Sequence, residues 1–174
     1  MVSRAVIARR FRPADAGALY ALAPPGHGPL VARAIARAQS GEQAILVAEA
    51  DGALIGQIWI DLVRRREEEV AVAYAFRVAR PFRRRGIGSA LLVAAERLAA
   101  ALGFRRLEVG VTGESARLFR MYQTRGYRRV GRRVDCERWR DQAGELAATF
   151  DQAIFEKELE LDERTQAGHS LDDR

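Results

Sequence analysis

Between residues 70 and 102 the hydrophobic period of the chain changes once, and that change limits what the chain can fold into. Val70–Val78 alternates at a period of two, which predicts a strand with Val70, Val72, Tyr74, Phe76 and Val78 on one face. Ile87, Leu91, Ala95, Leu98 and Leu102 then recur at helical spacing, and Gly103 supplies the stop. The connection is Arg80, Pro81, Phe82, Arg83, Arg84, Arg85, Gly86, Ile87, Gly88 and Ser89. A strand that turns directly into an apolar-faced helix needs a sheet with a helix packed on it. Gly86 and Gly88 let the main chain approach a ligand closely. The first turn of the helix offers unpaired N–H groups and the positive end of a dipole, so the turn suits a phosphate or pyrophosphate.

The rest of the chain supplies a sheet around that unit. Residues 4–11 read as a strand, and Asp15 reads as the N-cap of a helix running through Leu22. The segment 23–29, rich in Pro and Gly, breaks any helix before a second one over Leu30–Gln39. Residues 44–50, the Asp51-Gly52 turn and residues 53–63 form the strongest hairpin signal. A strand follows at 105–111, then a helix from Ser115 to about Thr124 and a strand over Tyr127–Val134. Residues 135–147 read as a polar insertion, and 148–159 as the last strand, with a helix there as the open alternative. The order predicts an α/β (α+β) fold: a mixed, mostly antiparallel central sheet of about 6–7 strands flanked by about 4 helices.

Composition narrows the function classes. Hydrophobic residues make up 48% of the 174, enough for a sizeable core, so wholesale disorder is excluded. One domain is expected over residues 1–160, with an acidic, flexible tail at 161–174. No apolar run is long enough to span a bilayer, and arginines stand where a signal peptide needs an apolar stretch, so the expected location is cytoplasmic without a membrane partner. Cys136 is the only cysteine, and His27 and His169 lie far apart, so no metal site is expected. Net charge is +6, and Lys157 is the only lysine. Arg77, Arg80, Arg83, Arg84 and Arg85 crowd together, which leaves an arginine-rich nucleic-acid-binding module as a rival reading. The glycines and the apolar helix behind them disfavour that rival, because a groove-reading helix carries its arginines along an exposed face.

Three readings of the glycine turn compete. A P-loop needs Lys and then Ser or Thr after its last glycine, whereas Gly88 is followed by Ser89 and Ala90. A dinucleotide fingerprint needs a third Gly or Ala where Leu91 stands, and it belongs at the first strand–helix junction. A tight turn with no ligand stays open on these residues alone.

Arg83-x-x-Gly86-x-Gly88, preceded by Val78, Ala79, Arg80, Pro81 and Phe82, resembles the acetyl-coenzyme A signature of the GCN5-related N-acetyltransferases, the GNAT superfamily. Met121, Tyr122, Gln123, Thr124, Arg125, Gly126 and Tyr127 resemble that family's "Leu-Tyr-x-x-x-Gly-Phe" motif, at the expected separation from the first. Arg12, Pro13, Ala14 and Asp15 resemble a common start of such domains, so the likeness covers about residues 4–159.

The resemblance implies transfer of an acetyl group from acetyl-CoA to a primary amine by direct attack on the thioester. Amides of Arg84, Arg85, Gly86, Ile87, Gly88 and Ser89, with Arg83 beside them, would hold the pyrophosphate. Main-chain groups at Phe76 and Val78 would pair with the pantetheine arm, and one of those N–H groups would polarise the thioester carbonyl. Tyr122 is the general-acid candidate, because a phenol stays protonated at neutral pH and can donate to a departing thiolate. Ser115 stands where the family often has Asn, as a cofactor contact or simply a helix cap. Glu108 and Glu69 are weaker candidates for the base, and Tyr74 could order a relay water. Trp59, Trp139 and His27 could line an acceptor pocket, and residues 67–69 could attract a cationic amine. A catalytically silent acetyl-CoA sensor is the further alternative. Members of the family are often homodimers, and the acceptor amine is not written in the sequence.

Overall fold

The computed structural model describes residues 6–141 and 144–161. The strands are β1 (Ile7–Arg10), β2 (Gln43–Ala50), β3 (Ala53–Arg65), β4 (Val70–Val78), β5 (Arg106–Thr112), β6 (Arg128–Asp141) and β7 (Gly144–Glu158). The helices are α1 (Ala16–Leu22), α2 (Gly28–Gln39), α3 (Ile87–Ala101) and α4 (Ala116–Gln123). All seven strands form one sheet in the order β1-β2-β3-β4-β5-β7-β6. Only β4 and β5 pair in parallel; every other neighbour is antiparallel. The predicted class and the counts of strands and helices agree with this. The predicted tail beyond Leu161 lies outside the described residues.

Two faces result. Leu91, Leu92, Ala95 and Ala99 of α3 pack on Leu46, Ile58, Ile60, Ala71, Ala73 and Val109, with Tyr122 and Phe155 in the same cluster. On the opposite face Leu19, Val31 and Ala34 of α1 and α2 close over Ile45, Val47 and Trp59. Asp15 marks the approach to α1 but is not its side-chain cap. Its carboxylate accepts from the Arg12 N–H at 2.7 Å and from Arg9, which holds the carboxyl below its ordinary range.

Two expectations change. The strand face predicted over Val70–Val78 is broken, because Ala75 has φ of +48 and the β3–β4 register shifts between Gln57 and Trp59. A bulge turns the following residues over. Val72 and Tyr74 therefore face the α1/α2 side, whereas Phe76 and Val78 pack with the α3 cluster. The predicted insertion at 135–147 is mostly strand: β6 continues to Asp141, and β7 starts at Gly144 rather than 148. Alternation along 144–150, exposed at Glu145, Ala147 and Thr149, satisfies the strand period and rules out the helix alternative.

The sheet face under β5 and β7 that α1 and α2 do not cover is held by ions. Glu108 is 0% exposed, and its carboxylate is clamped by Arg65 and Arg133. Arg65 also reaches Glu156 at 2.6 Å and Glu68, and Arg106 reaches Glu156 at 2.8 Å. Hydrogen bonds from Arg65 to Glu68, Glu156 and Glu108 raise its pKa above the ordinary guanidinium value. Replacing Glu108 with Leu strips this cluster of its buried anion. Urea denaturation should show a loss of about 3 kcal/mol, the low end for breaking a buried pair, since both guanidinium groups reach solvent.

Candidate active site

The site is built on an opening in the sheet. β4 and β5 pair from Val70 to Ala73 against Arg106 to Val109 and then separate. On its other edge β4 stays paired with β3 through Val78, and the Ala79 N–H donates to Ile55 O at 2.8 Å. Strand alternation therefore turns the peptide groups of Val78 and Phe76 toward the opening. The Val78 carbonyl accepts from Arg83 Nε at 2.9 Å, which fastens the turn to the strand end.

Arg84 has φ of +62 and Gly86 has φ of +78, so the turn coils twice through the left-handed region before α3 begins. No acceptor in the chain bonds the main-chain N–H groups from Arg84 to Ser89 among the described residues; the first inward bond is Ala90 N–H to Gly86 O at 2.9 Å. Gly86 is the N-cap and has no side chain to fill that role. Successive amides at a helix N-terminus form an anion cradle. Gly88 lets this turn sit down on Phe76: a Cβ there would stand 3.4 Å from Phe76 Cζ. Ile87, 3% exposed, anchors the start of α3 in the core.

Ser89 and Tyr122 are brought together through a residue to which the sequence reading assigned no role. Arg125 donates to Ser89 Oγ and, at 3.1 Å, to Met121 O, tying the end of α4 to the first turn of α3. Tyr122 lies in that last turn, stacked on Phe155 at 5.8 Å and edge-on to Tyr127 at 5.4 Å. Burial pushes its phenol up to about 12, and no group bonds its hydroxyl among the described residues. Ser115 is the side-chain cap of α4, accepting from the Leu118 N–H at 3.3 Å. Arg84 and Arg85 are exposed, with the Arg85 guanidinium over the Phe82 ring at 5.8 Å.

The two carboxylates considered as bases are placed elsewhere. Glu108 has its oxygens occupied by Arg65 and Arg133. Glu69 precedes the paired end of β4, far along the strand from Val78, and binds Arg105 at 3.0 Å. Glu68 is spent on Arg65, so two of the acidic residues at 67–69 are tied up in local pairs. Tyr74 donates its hydroxyl to Gln43 Oε1, and burial pushes this phenol up to about 12.

Across the bulge from the glycine turn is a cavity of about 480 Å³, bounded by α2, β3, β4 and the β6–β7 ribbon. Trp59, Tyr74, Gln57, His27 and Phe150 line it. The ribbon closes the outer end: Trp139 Nε1 donates to Gly26 O at 3.0 Å, and its ring meets His27 edge-on at 5.0 Å. Arg33 with Glu137, and Arg64 with Asp135 at 2.6 Å, add two further ties across the rim. Burial works to raise the Asp135 carboxyl, but hydrogen bonds from Arg133 and Arg64 carry it below the ordinary range.

Residues 17–127, which span the splayed strand, the glycine turn and Tyr122, match the family described as Acetyltransferase (GNAT) family. The chain belongs to the GNAT acetyltransferases. No curated protein matches it. An N-acetyltransferase of Staphylococcus aureus Mu50 has a similar fold, with a TM-score of 0.70 at 19% identity over 90% of this chain and 99% of that one. The ribosomal-protein-S18-alanine N-acetyltransferase of Escherichia coli gives 0.66 at 16% identity, over 91% and 96%. The PaiA N-acetyltransferase of Thermoplasma acidophilum, solved in complex with coenzyme A, gives 0.64 at 18% identity, over 88% and 99%. At these identities the likeness is one of fold. The GNAT sheet opening and glycine turn described above are this chain's own. No described helix is long and apolar enough to cross a membrane.

Trp139→Ala removes both the ring contact and the hydrogen bond that hold the ribbon against the 23–27 segment. Amide hydrogen exchange at Gly26 and His27 should then accelerate about tenfold, the effect of losing roughly one net hydrogen bond. The amides of α3 should be unaffected.

Proposed function

We propose that the chain is an acetyl-CoA-dependent N-acetyltransferase acting on a primary amine. The observation that carries this is the run of acceptor-free amides from Arg84 to Ser89, set beside a strand edge whose own peptide groups face an opening. A pyrophosphate and an amide-bearing arm are the chemistry such donors and such an edge fit. When bound, acetyl-CoA supplies its acetyl group already activated as a thioester. The T. acidophilum relative solved with coenzyme A supports the same reading.

The chain's own residues divide the work. The Arg84–Ser89 amides bind the diphosphate, and the exposed Arg84 and Arg85 side chains add positive charge around it. Peptide groups at Phe76 and Val78 align the arm, and an N–H there meets negative charge as it develops on the carbonyl oxygen. The amine reaches the carbonyl carbon from the cavity on the other side of the bulge. As the new C–N bond forms, the C–S bond breaks and its electron pair goes to sulfur. The Tyr122 hydroxyl holds the proton that the thiolate takes. A group that must be protonated loses effect only as pH rises through its pKa, and at about 12 that lies well above neutrality. With Glu108 and Glu69 engaged by arginines, water in the cavity is the acceptor for the amine's proton. Binding of nucleic acid fits less well: Arg83 spends its guanidinium on Val78 O, and Arg85 covers Phe82.

Two variants test the reading. A Cβ on Gly86 would touch nothing within 4 Å, so Gly86→Val acts through backbone conformation alone. Calorimetry should show acetyl-CoA binding weakened about tenfold or more, the equivalent of ~1–2 kcal/mol for a side chain forced into the left-handed region. Tyr122→Phe should leave that affinity in place while lowering kcat, followed as free coenzyme A thiol, by about a hundredfold. In the unmodified enzyme kcat should show no alkaline fall up to about pH 11, because the phenol titrates at about 12.

A further inference from the structure

Two buried polar atoms in the cavity have no protein partner. Gln57 is 2% exposed and Trp59 is 6% exposed, and neither Gln57 Oε1 nor Trp59 Nε1 finds a hydrogen bond. Buried groups left unsatisfied cost free energy, and such groups in a cavity wall mark what the cavity is shaped to hold. Both residues point to the same face of β3, two positions apart, and both line the cavity. Gln57 also donates through Nε2 to Ala75 O, at 3.4 Å, so its free oxygen is held next to the bulge. One orphan is an acceptor beside the point where the strand opens, and the other is a donor one strand repeat deeper.

The charges of the cavity give the second constraint. Each carboxylate that lines it is already neutralised by an arginine that also lines it: Asp61 by Arg37 at 3.0 Å, Asp135 by Arg64, and Glu137 by Arg33. Among the described residues Arg77 is the lining arginine without a carboxylate partner. Nothing in this wall attracts a second positive charge, and an anionic group meets an unpaired guanidinium. The closed outer end, held by Trp139 and the Arg33–Glu137 pair, fits a small molecule rather than an extended polypeptide.

We infer that the acceptor is a small amine that also carries a carboxylate, an amino-acid-like molecule. Its reacting nitrogen donates to Gln57 Oε1, and its carboxylate accepts from Trp59 Nε1 within the field of Arg77. Gln57 is thus a positioning residue: it keeps one N–H of the amine fixed while the lone pair is directed past Ala75 to the opening. This rests on the acetyltransferase reading and names the substrate class of the same site.

The test is a matched panel with acetyl-CoA and purified enzyme: amino acids, their decarboxylated amines, a polyamine and a lysine-containing peptide, followed by thiol release. The expected result is a kcat/KM at least tenfold higher for an amino acid than for its decarboxylated partner, with the polyamine and the peptide below both. Trp59→Phe keeps the ring and removes the N–H, so it should shrink that tenfold preference toward parity. Gln57→Leu should raise the amine KM and leave the calorimetric affinity for acetyl-CoA unchanged. Equal or better use of decarboxylated amines, polyamine or peptide overturns the inference, and so does a full preference in Trp59→Phe. The wild-type panel decides even where a variant fails to fold. Acetyl-CoA binding measured on the same preparation separates the failures: binding without the amino-acid preference sinks only this inference, whereas no binding sinks the acetyltransferase reading itself.

Discussion

β4 and β5 are bonded to each other only as far as Ala73 and Val109, and the site depends on their parting there. Each strand is fully committed on its outer edge, β4 to β3 through Val78 and β5 to β7 along Arg106–Thr112. The bulge at Ala75 adds local twist and bend to β4 but not to β5, so the two ribbons diverge. Divergence inside a sheet leaves inward-facing peptide groups without partners, which a buried strand cannot tolerate unless something else bonds them. A ligand with an amide-bearing arm is a natural completion of such an edge.

An opening at one end must be matched by a firm hold at the other. The Glu69 carbonyl accepts from both the Arg105 and Arg106 N–H groups, at 2.9 and 3.2 Å, just before the paired stretch. Behind it the Glu108 cluster links β3, β5, β6 and β7 through Arg65, Arg133 and Glu156. A wholly buried carboxylate with arginines on both oxygens is costly to desolvate, so its geometry has to be good. That requirement makes it a registration device for four strands. It also explains why a mid-strand glutamate beside a catalytic opening is not free to take a proton.

What the sequence made legible was local. The glycine turn, the helix behind it and the Tyr122 helix each follow from residues within about two turns of one another, where periodicity and capping operate. Ser115 as a cap and the hairpin at Asp51-Gly52 belong to the same class. The reversal of strand face at Ala75 was hidden, because alanine carries no signal for a left-handed conformation that its neighbours impose. The role of Glu108 was hidden for another reason. Its partners are 43 and 25 residues away, and an arginine-rich chain offers too many candidates for pairing to be inferred. The β6–β7 ribbon read as an insertion because its charged residues pair across the cavity rim, Asp135 to Arg64 and Glu137 to Arg33, and so looked like solvated loop.

The bulge does more than open the sheet. In an unbroken strand Phe76 would share a face with Tyr74 and fill the cavity, and Gly88 would lose the ring on which the glycine turn rests. With Ala75 at φ of +48, successive residues serve opposite sides: Tyr74, Ala75 and Arg77 line the cavity, while Phe76 and Val78 lie under α3. Gln57 is shared between the two, its Nε2 on the bulge carbonyl and its Oε1 in the cavity. A direct transfer needs both reactants at one carbonyl carbon without crossing each other's path. The single left-handed residue meets that need by bringing one in from each face of the same strand.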